Sequence, residues 1–325
     1  MNLIMFLLGR VAKGVVVLMA IAILNFLLIH AAPGDPAQVM AGQGGAADEE
    51  LLQQLRVQYG LDKPFLTQLG IYAGSYLQFD LGFSYRQQQS VLSLIMDRLP
   101  ATLLLTGSAF VISLLVGTLM GMLAARRQGH WSDGAITTVS LMFYATPLFW
   151  IALMSQIIFS LKLGWLPNVG YETIGANLSG FARMLDIGRH LILPAMTLGL
   201  FFTAVYVRMM RASMLQVAGS DFVKTARAKG LSEGVILRHH IARNAILPVV
   251  TLAGLQAGQL VGGAVLTETV FAWPGIGRLM FDALTQRDYP ILLGVFFISS
   301  ALVIGFNILT ELVYRIVDPR IGAQG

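Results

Sequence analysis

The chain has 325 residues, 56% of them hydrophobic and only 12% charged, with a formal net charge of +5 and a mean hydropathy of +0.70. Globular domains carry about 25% charged residues, so this chain has too little charge to coat a soluble body of its size, and its apolar content excludes disorder. With no cysteine it has no disulfides, thiolate nucleophiles or thiolate metal sites.

The first apolar run, from about residue 9 to 30, is long enough to cross a bilayer. No small-x-small cleavage site follows it, which marks an uncleaved span rather than a signal peptide. The segment 31–100 is more polar. Asp48-Glu49-Glu50 opens a helix with acids in its first turn, and Gly60 can close it. Pro64 suits the first turn of a second helix, on which Phe65, Leu69, Tyr72 and Tyr76 share one face. These two amphipathic helices are expected on the outer surface, as a packed cap or as a docking surface for an external partner. Five further spans follow at 101–125, 135–161, 191–210, 245–266 and 291–317. Thr146-Pro147 interrupts the third and should kink it. The expected fold class is therefore all-α, a polytopic membrane protein with six transmembrane helices. No repeat of 20–50 residues is present.

The loops fix the orientation. With both termini cytoplasmic, the inner segments hold 13 of the Lys and Arg residues and the short outer loops hold 5, the bias expected of inward-facing loops. Four segments result: the N-terminus and first span at 1–30, an extracytoplasmic loop at 31–100, a core of five spans at 101–318 and a cytoplasmic tail at 319–325. The core carries a cytoplasmic loop at 211–245.

That loop is the most charged stretch of an apolar chain. Ser220 can cap a helix beginning at Asp221. Asp221 sits at the positive end of the helix dipole, with Lys224, Arg227 and Lys229 toward the negative end. Gly230 stops the helix in the left-handed conformation. About nine residues are too few for a stable isolated helix, so it must be held between spans four and five. Phe222, Val223 and Ala226 are expected on one side, and Lys224 and Arg227 on another. Ser232 can cap a second helix leading to span five. Such an element could lie on anionic lipid or insert into a groove on a cytosolic protein with Phe222 as anchor. Nucleic acid is disfavoured, because no groove-reading motif or interleaved aromatic accompanies the charge.

Other constellations are weaker. Gly254, Gly258 and Gly262 recur every four residues on span five, a spacing that allows close helix packing, a smooth pore face or contact with a partner permease. Gln256, Gln259, Thr267 and Glu268 lie toward the outer half of that span, where polar groups often face a cavity. Glu311 lies near the inner end of span six. Trp273-Pro274-Gly275 is expected to turn the chain at the outer interface. His30, His190, His239 and His240 are too scattered for one metal site. No zinc-protease or serine-hydrolase motif appears, so catalytic and metal residues are not expected and the chain is not expected to be an enzyme.

Ten stretches in order give a resemblance to a known family. They are APGDP (32–36), YGLDKP (59–64), DLGFS (80–84), RLPATLLLT (98–106), VRMMRASMLQV (207–217), KTARAKGLS (224–232), RNAILPVVT (243–251), LTETVFAWPGIGRL (266–279), RDYP (287–290) and DPRI (318–321). Together they resemble the B-type permease subunits of ABC importers for dipeptides, oligopeptides and nickel. The resemblance covers almost the whole chain. It implies the type I importer permease fold, with the 221–230 helix as the coupling element gripped by an ATPase subunit. The Glu-Ala-Ala of the general signature reads Lys224-Thr225-Ala226 here, as in the peptide and nickel subfamily. The resemblance also implies a homologous second permease, two ATPase subunits carrying ATP and Mg, and an extracytoplasmic binding protein. Residence would be in a bacterial inner membrane, among lipids. Peptide is the first cargo it implies and a nickel or metal chelate the second. The chain has no phosphate loop of its own, so no cofactor is expected on it. A stand-alone secondary transporter or channel, the reading from another class, would need carboxylates at the midplane, and the span centres have none.

Overall fold

The computed structural model describes residues 3–31, 35, 37, 38, 49–58 and 60–317, without the side chains of 3, 4, 6, 51, 58, 257, 259–263 and 313–317. Most of APGDP, Asp48, Tyr59, the DPRI stretch and the tail lie outside the described residues. The helices are α1 (Leu3–Ala31), α2 (Glu49–Gln58), α3 (Phe65–Leu77), α4 (Val91–Arg126), α5 (Trp131–Ala145), α6 (Leu148–Ser155), α7 (Gly180–Ala218), α8 (Asp221–Ala228), α9 (Glu233–Val235), α10 (Arg243–Val270), α11 (Ile276–Gln286) and α12 (Tyr289–Val317). A two-residue hairpin, β1 (Phe83–Ser84) with β2 (Gln89–Ser90), holds the strands found among the described residues. Two compact units divide the chain, 1–103 with 274–308 and 104–273 with 309–325.

In the first unit the cap helices form as expected. Gly60 takes φ +61 after α2, and α3 buries Tyr72 and Tyr76. Tyr72 stacks on Tyr76 at 4.5 Å, and Tyr76 meets Phe297 of α12 edge-on at 5.0 Å. Phe65 stays half-exposed and packs its ring against Phe26 and His30. Distant motifs meet here. Ser84 of DLGFS donates a buried 2.6 Å hydrogen bond to Asp288 of RDYP. Asp288 also accepts from the Ile291 amide and so caps α12. The Thr102 hydroxyl of RLPATLLLT accepts from the Ile276 amide at 2.8 Å.

In the second unit α4, α7 and α10 pack closely. A Cβ added at Gly121 would lie 2.7 Å from the Met210 Cβ and 2.8 Å from the Val207 carbonyl, and one at Gly199 would lie 2.9 Å from Ile112. The close helix approach therefore falls on Gly117-x-x-x-Gly121 of α4 and Gly199 of α7, positions the sequence reading passed over. Helix α7 begins at Gly180, earlier than the span expected from 191. Its polar first turns are held by the preceding loop. Thr173 donates its amide and hydroxyl to Asp186 at 2.6 and 2.8 Å, and Arg183 pairs with Glu172 at 2.6 Å.

Among the described residues, four helices are long and apolar enough to cross a membrane: 7–31, 91–126, 180–218 and 289–312. The third span bends at Thr146-Pro147 as expected, and sharply. α5 and the segment 148–162 meet at 103° across Thr146-Pro147, and they make a fifth span only if counted as one. The residue before a proline is driven out of the helical region, and Thr146 is extended at φ −81, ψ 135. α10 covers the remaining expected span with 28 residues. The chain turns at Trp273-Pro274-Gly275 as expected, and Trp273 is fully buried against Tyr171 at 4.8 Å.

Gly121→Val should lower the melting midpoint in detergent, since overpacking a tight contact costs about 1–3 kcal/mol. Gly107→Ala, where an added Cβ meets nothing within 4 Å, should not lower it, since alanine favours a helix interior over glycine.

Candidate functional site

The site is built on α8. Ser220 occupies the N-cap position with extended backbone, φ −71 and ψ 153, but its hydroxyl does not cap the helix. It donates instead to the Val217 carbonyl at 2.6 Å, which ties α8 to the end of α7. Ser232, the second expected cap, makes no capping side-chain bond either. α8 has eight residues. Lys229 follows it, and Gly230 takes φ +78 and donates its amide to the Arg227 carbonyl at 2.9 Å. Only glycine adopts that conformation cheaply.

The helix has two unlike sides. Val223 and Ala226 are buried in one apolar cluster with Met210 and Met214 of α7 and Ala245 and Val249 of α10. Asp221, Phe222, Lys224, Thr225, Arg227, Lys229 and Gly230 are exposed. Phe222, expected beside Val223 and Ala226, is 47% exposed. Lys224 pairs with Asp221 at 2.8 Å, and Thr225 bonds the Asp221 carbonyl at 2.9 Å. Arg227 reaches Glu233 through two bonds of 2.8 and 3.4 Å. Its guanidinium holds the Glu233 carboxyl below the usual carboxylate range. From α9 the chain enters α10 through a π-helical turn at Ile236–Ala242, an irregularity common at functional positions.

A clasp missed in the sequence closes the base of the loop. Arg211 of α7 donates two bonds, 2.7 and 2.8 Å, to Asp133 of α5. Asp133 also accepts from the Gly129 amide at 3.3 Å. The pair is 78 residues apart, and although Arg211 lies in VRMMRASMLQV, nothing in the sequence joins it to Asp133. A lone acid next to Trp131 in a basic loop was the available signal.

The residues considered for the pathway are less exposed than the loop. Gly254 accepts a 3.1 Å hydrogen bond from Thr310 of α12. Gln256 and Gly258 are buried, and the Gln256 Oε1 has no hydrogen-bond partner among the described residues. Glu268 is fully buried, and its carbonyl accepts from the Trp273 amide at 2.8 Å. The side chains of Gln259 and Gly262 lie outside the described residues.

Residues 117–323 match the family described as the binding-protein-dependent transport system inner membrane component, and residues 3–106 match its N-terminal companion. The chain belongs to that family. It is a multi-pass membrane protein and the permease component of an importer, in a system that depends on a binding protein. A putative peptide transport system permease of Brucella abortus is 40% identical over 97% of this chain and 98% of its own length. The di/tripeptide transport system permease of Pseudomonas aeruginosa is 40% identical, covering 94% of each chain. The dipeptide transport system permease of Alkalihalophilus pseudofirmus is 37% identical, covering 94% of this chain and 95% of its own. Among solved structures, an inward-facing methionine ABC transporter aligns with a TM-score of 0.55 at 16% identity, over 70% of this chain and 97% of that one. An amino acid ABC transporter aligns at 0.51, also at 16% identity, over 69% and 94%. Those likenesses establish the importer permease fold.

Asp133→Asn should lower the thermal midpoint of the permease, since a hydrogen bond to a charged group contributes about 1.5–3 kcal/mol. Combined with Arg211→Gln, the two losses should fall well short of additive, as read by melting of both single variants and the double variant.

Proposed function

We propose that this chain forms half of the translocation pathway of an ATP-driven peptide importer and receives the force of ATP hydrolysis through α8. The observation that carries the reading is the two-sidedness of that helix. Val223 and Ala226 lock it into the core shared by α7 and α10, while its other residues are free to meet a cytosolic protein. A displacement of α8 must therefore act on two long helices at once, the rigid-body kind of switch that changes access. The names of the relatives support di- and oligopeptides as cargo over a nickel chelate. Family membership disfavours a secondary transporter.

In this reading the path lies between this chain and a homologous second permease. Two ATPase subunits carry ATP and Mg on the cytoplasmic side, and an extracytoplasmic binding protein delivers the cargo. Both termini are cytoplasmic, as the Lys and Arg bias requires. Gly254, Gln256, Gly258, Gln259, Gly262 and Glu268 are assigned to the pathway or to the contact between permeases. Hydrolysis belongs to the ATPases, and this chain converts motion into access.

Ala226→Leu forces bulk into the α8 anchor, and Gly230→Val strains its left-handed stop. In proteoliposomes containing the ATPases and loaded with binding protein, each should hydrolyse ATP yet import peptide roughly 5- to 150-fold more slowly, the span of ordinary coupling energies. Normal uptake by both variants would remove α8 from the mechanism.

A further inference from the structure

Behind α8 the second unit contains a cleft of about 770 Å³. Its lining includes the apolar side chains of Met214, Leu215 and Leu237. It also includes basic groups, Arg126 at the end of α4 and Arg238 and His239 in the π-helical turn. The neighbouring cations are neutralised, Arg211 by Asp133 and Arg227 by Glu233. Arg126, Arg238 and His239 have no ion pair or side-chain hydrogen bond among the described residues. Glu233, the acid that lines the cleft, is engaged by Arg227. The cleft thus combines uncompensated positive charge with apolar lining.

We infer that this cleft binds the phosphate headgroup of an anionic phospholipid, with the upper part of an acyl chain against Met214, Leu215 and Leu237. Three observations favour lipid. First, Arg126 closes α4, a helix long and apolar enough to span the bilayer, so the cleft opens beside the end of a membrane-spanning helix. Second, the ligand must be both anionic and apolar. Third, Arg side chains form forked hydrogen bonds with phosphate oxygens, and basic residues at a membrane surface draw anionic lipid. The lipid would brace the segment that joins α8 to α10. Its placement in the inner leaflet rests on the orientation proposed above, but binding itself does not.

The test titrates phosphatidylglycerol into the delipidated permease complex in detergent and counts bound lipids by native mass spectrometry. The wild type should bind phosphatidylglycerol saturably and phosphatidylcholine poorly. The double variant Arg126→Gln/Arg238→Gln should lose affinity roughly tenfold or more, and Arg189→Gln, outside the cleft, should not. Millimolar inorganic phosphate should fail to displace the lipid. Equal binding by wild type and double variant overturns the inference. So does full displacement by phosphate, which would mark a free-anion site. Loss of the ATPase subunits from the double variant with lipid binding unchanged would assign the cleft to a protein contact instead. Because the titration is made in detergent, its outcome is independent of which membrane face carries the loop. An error in orientation would appear separately, as labelling of a cysteine at Arg238 from outside the cell.

Discussion

The burial of two small side chains, Val223 and Ala226, in the cluster shared by α7 and α10 is the contact on which the mechanical reading depends. An eight-residue helix is not stable alone in water. Complete burial of a valine contributes about 1.5–3 kcal/mol, so the helix persists because the core holds it. The same contact makes it useful. A helix held only by its chain connections would move without effect, whereas α8 is packed against both helices that it joins. Its short apolar face is spent on the anchor, and Phe222, Lys224 and Thr225 remain outward.

Around that contact the chain restricts where it can give. On one side Asp133 and Arg211 tie α5 to α7 with two short bonds, and Gly121 brings α4 against α7. On the other, the π-helical turn and Pro248 leave the start of α10 with an irregular hydrogen-bond ladder. In the proposed reading, a push on α8 would act on an α7 tied to α5 through Asp133–Arg211 and on an α10 entered through an irregular turn. The 103° break at Thr146-Pro147 makes α5 a short, separately anchored element in the same unit.

Much of this was readable in the residues. Sustained apolar runs marked the long helices, because burying backbone in lipid leaves few alternatives to helix. Gly230 marked the end of α8 because its conformation excludes other residues. What escaped was long-range. The Asp133–Arg211 and Ser84–Asp288 pairs join residues far apart in sequence, three of them inside the quoted motifs, but no motif names its partner and only the fold reveals the pairing. Ser220 offers the opposite lesson. It sits where a capping serine belongs, yet its hydroxyl bonds back to α7, since a nearby carbonyl at a helix end competes for the same group. Gly117-x-x-x-Gly121 has the same four-residue spacing as the glycines of α10, and the spacing alone does not say which helix makes the close contact.

Because the chain contains no cysteine, a single one introduced at Phe222 is a clean probe of the central claim. In membranes holding the assembled transporter, a short bifunctional cross-linker from that position should capture an ATPase subunit, with a yield that changes on adding ATP. Capture of lipid or binding protein alone, or reaction with a membrane-impermeant thiol reagent from the external side, would contradict the role of α8 as the point where force enters.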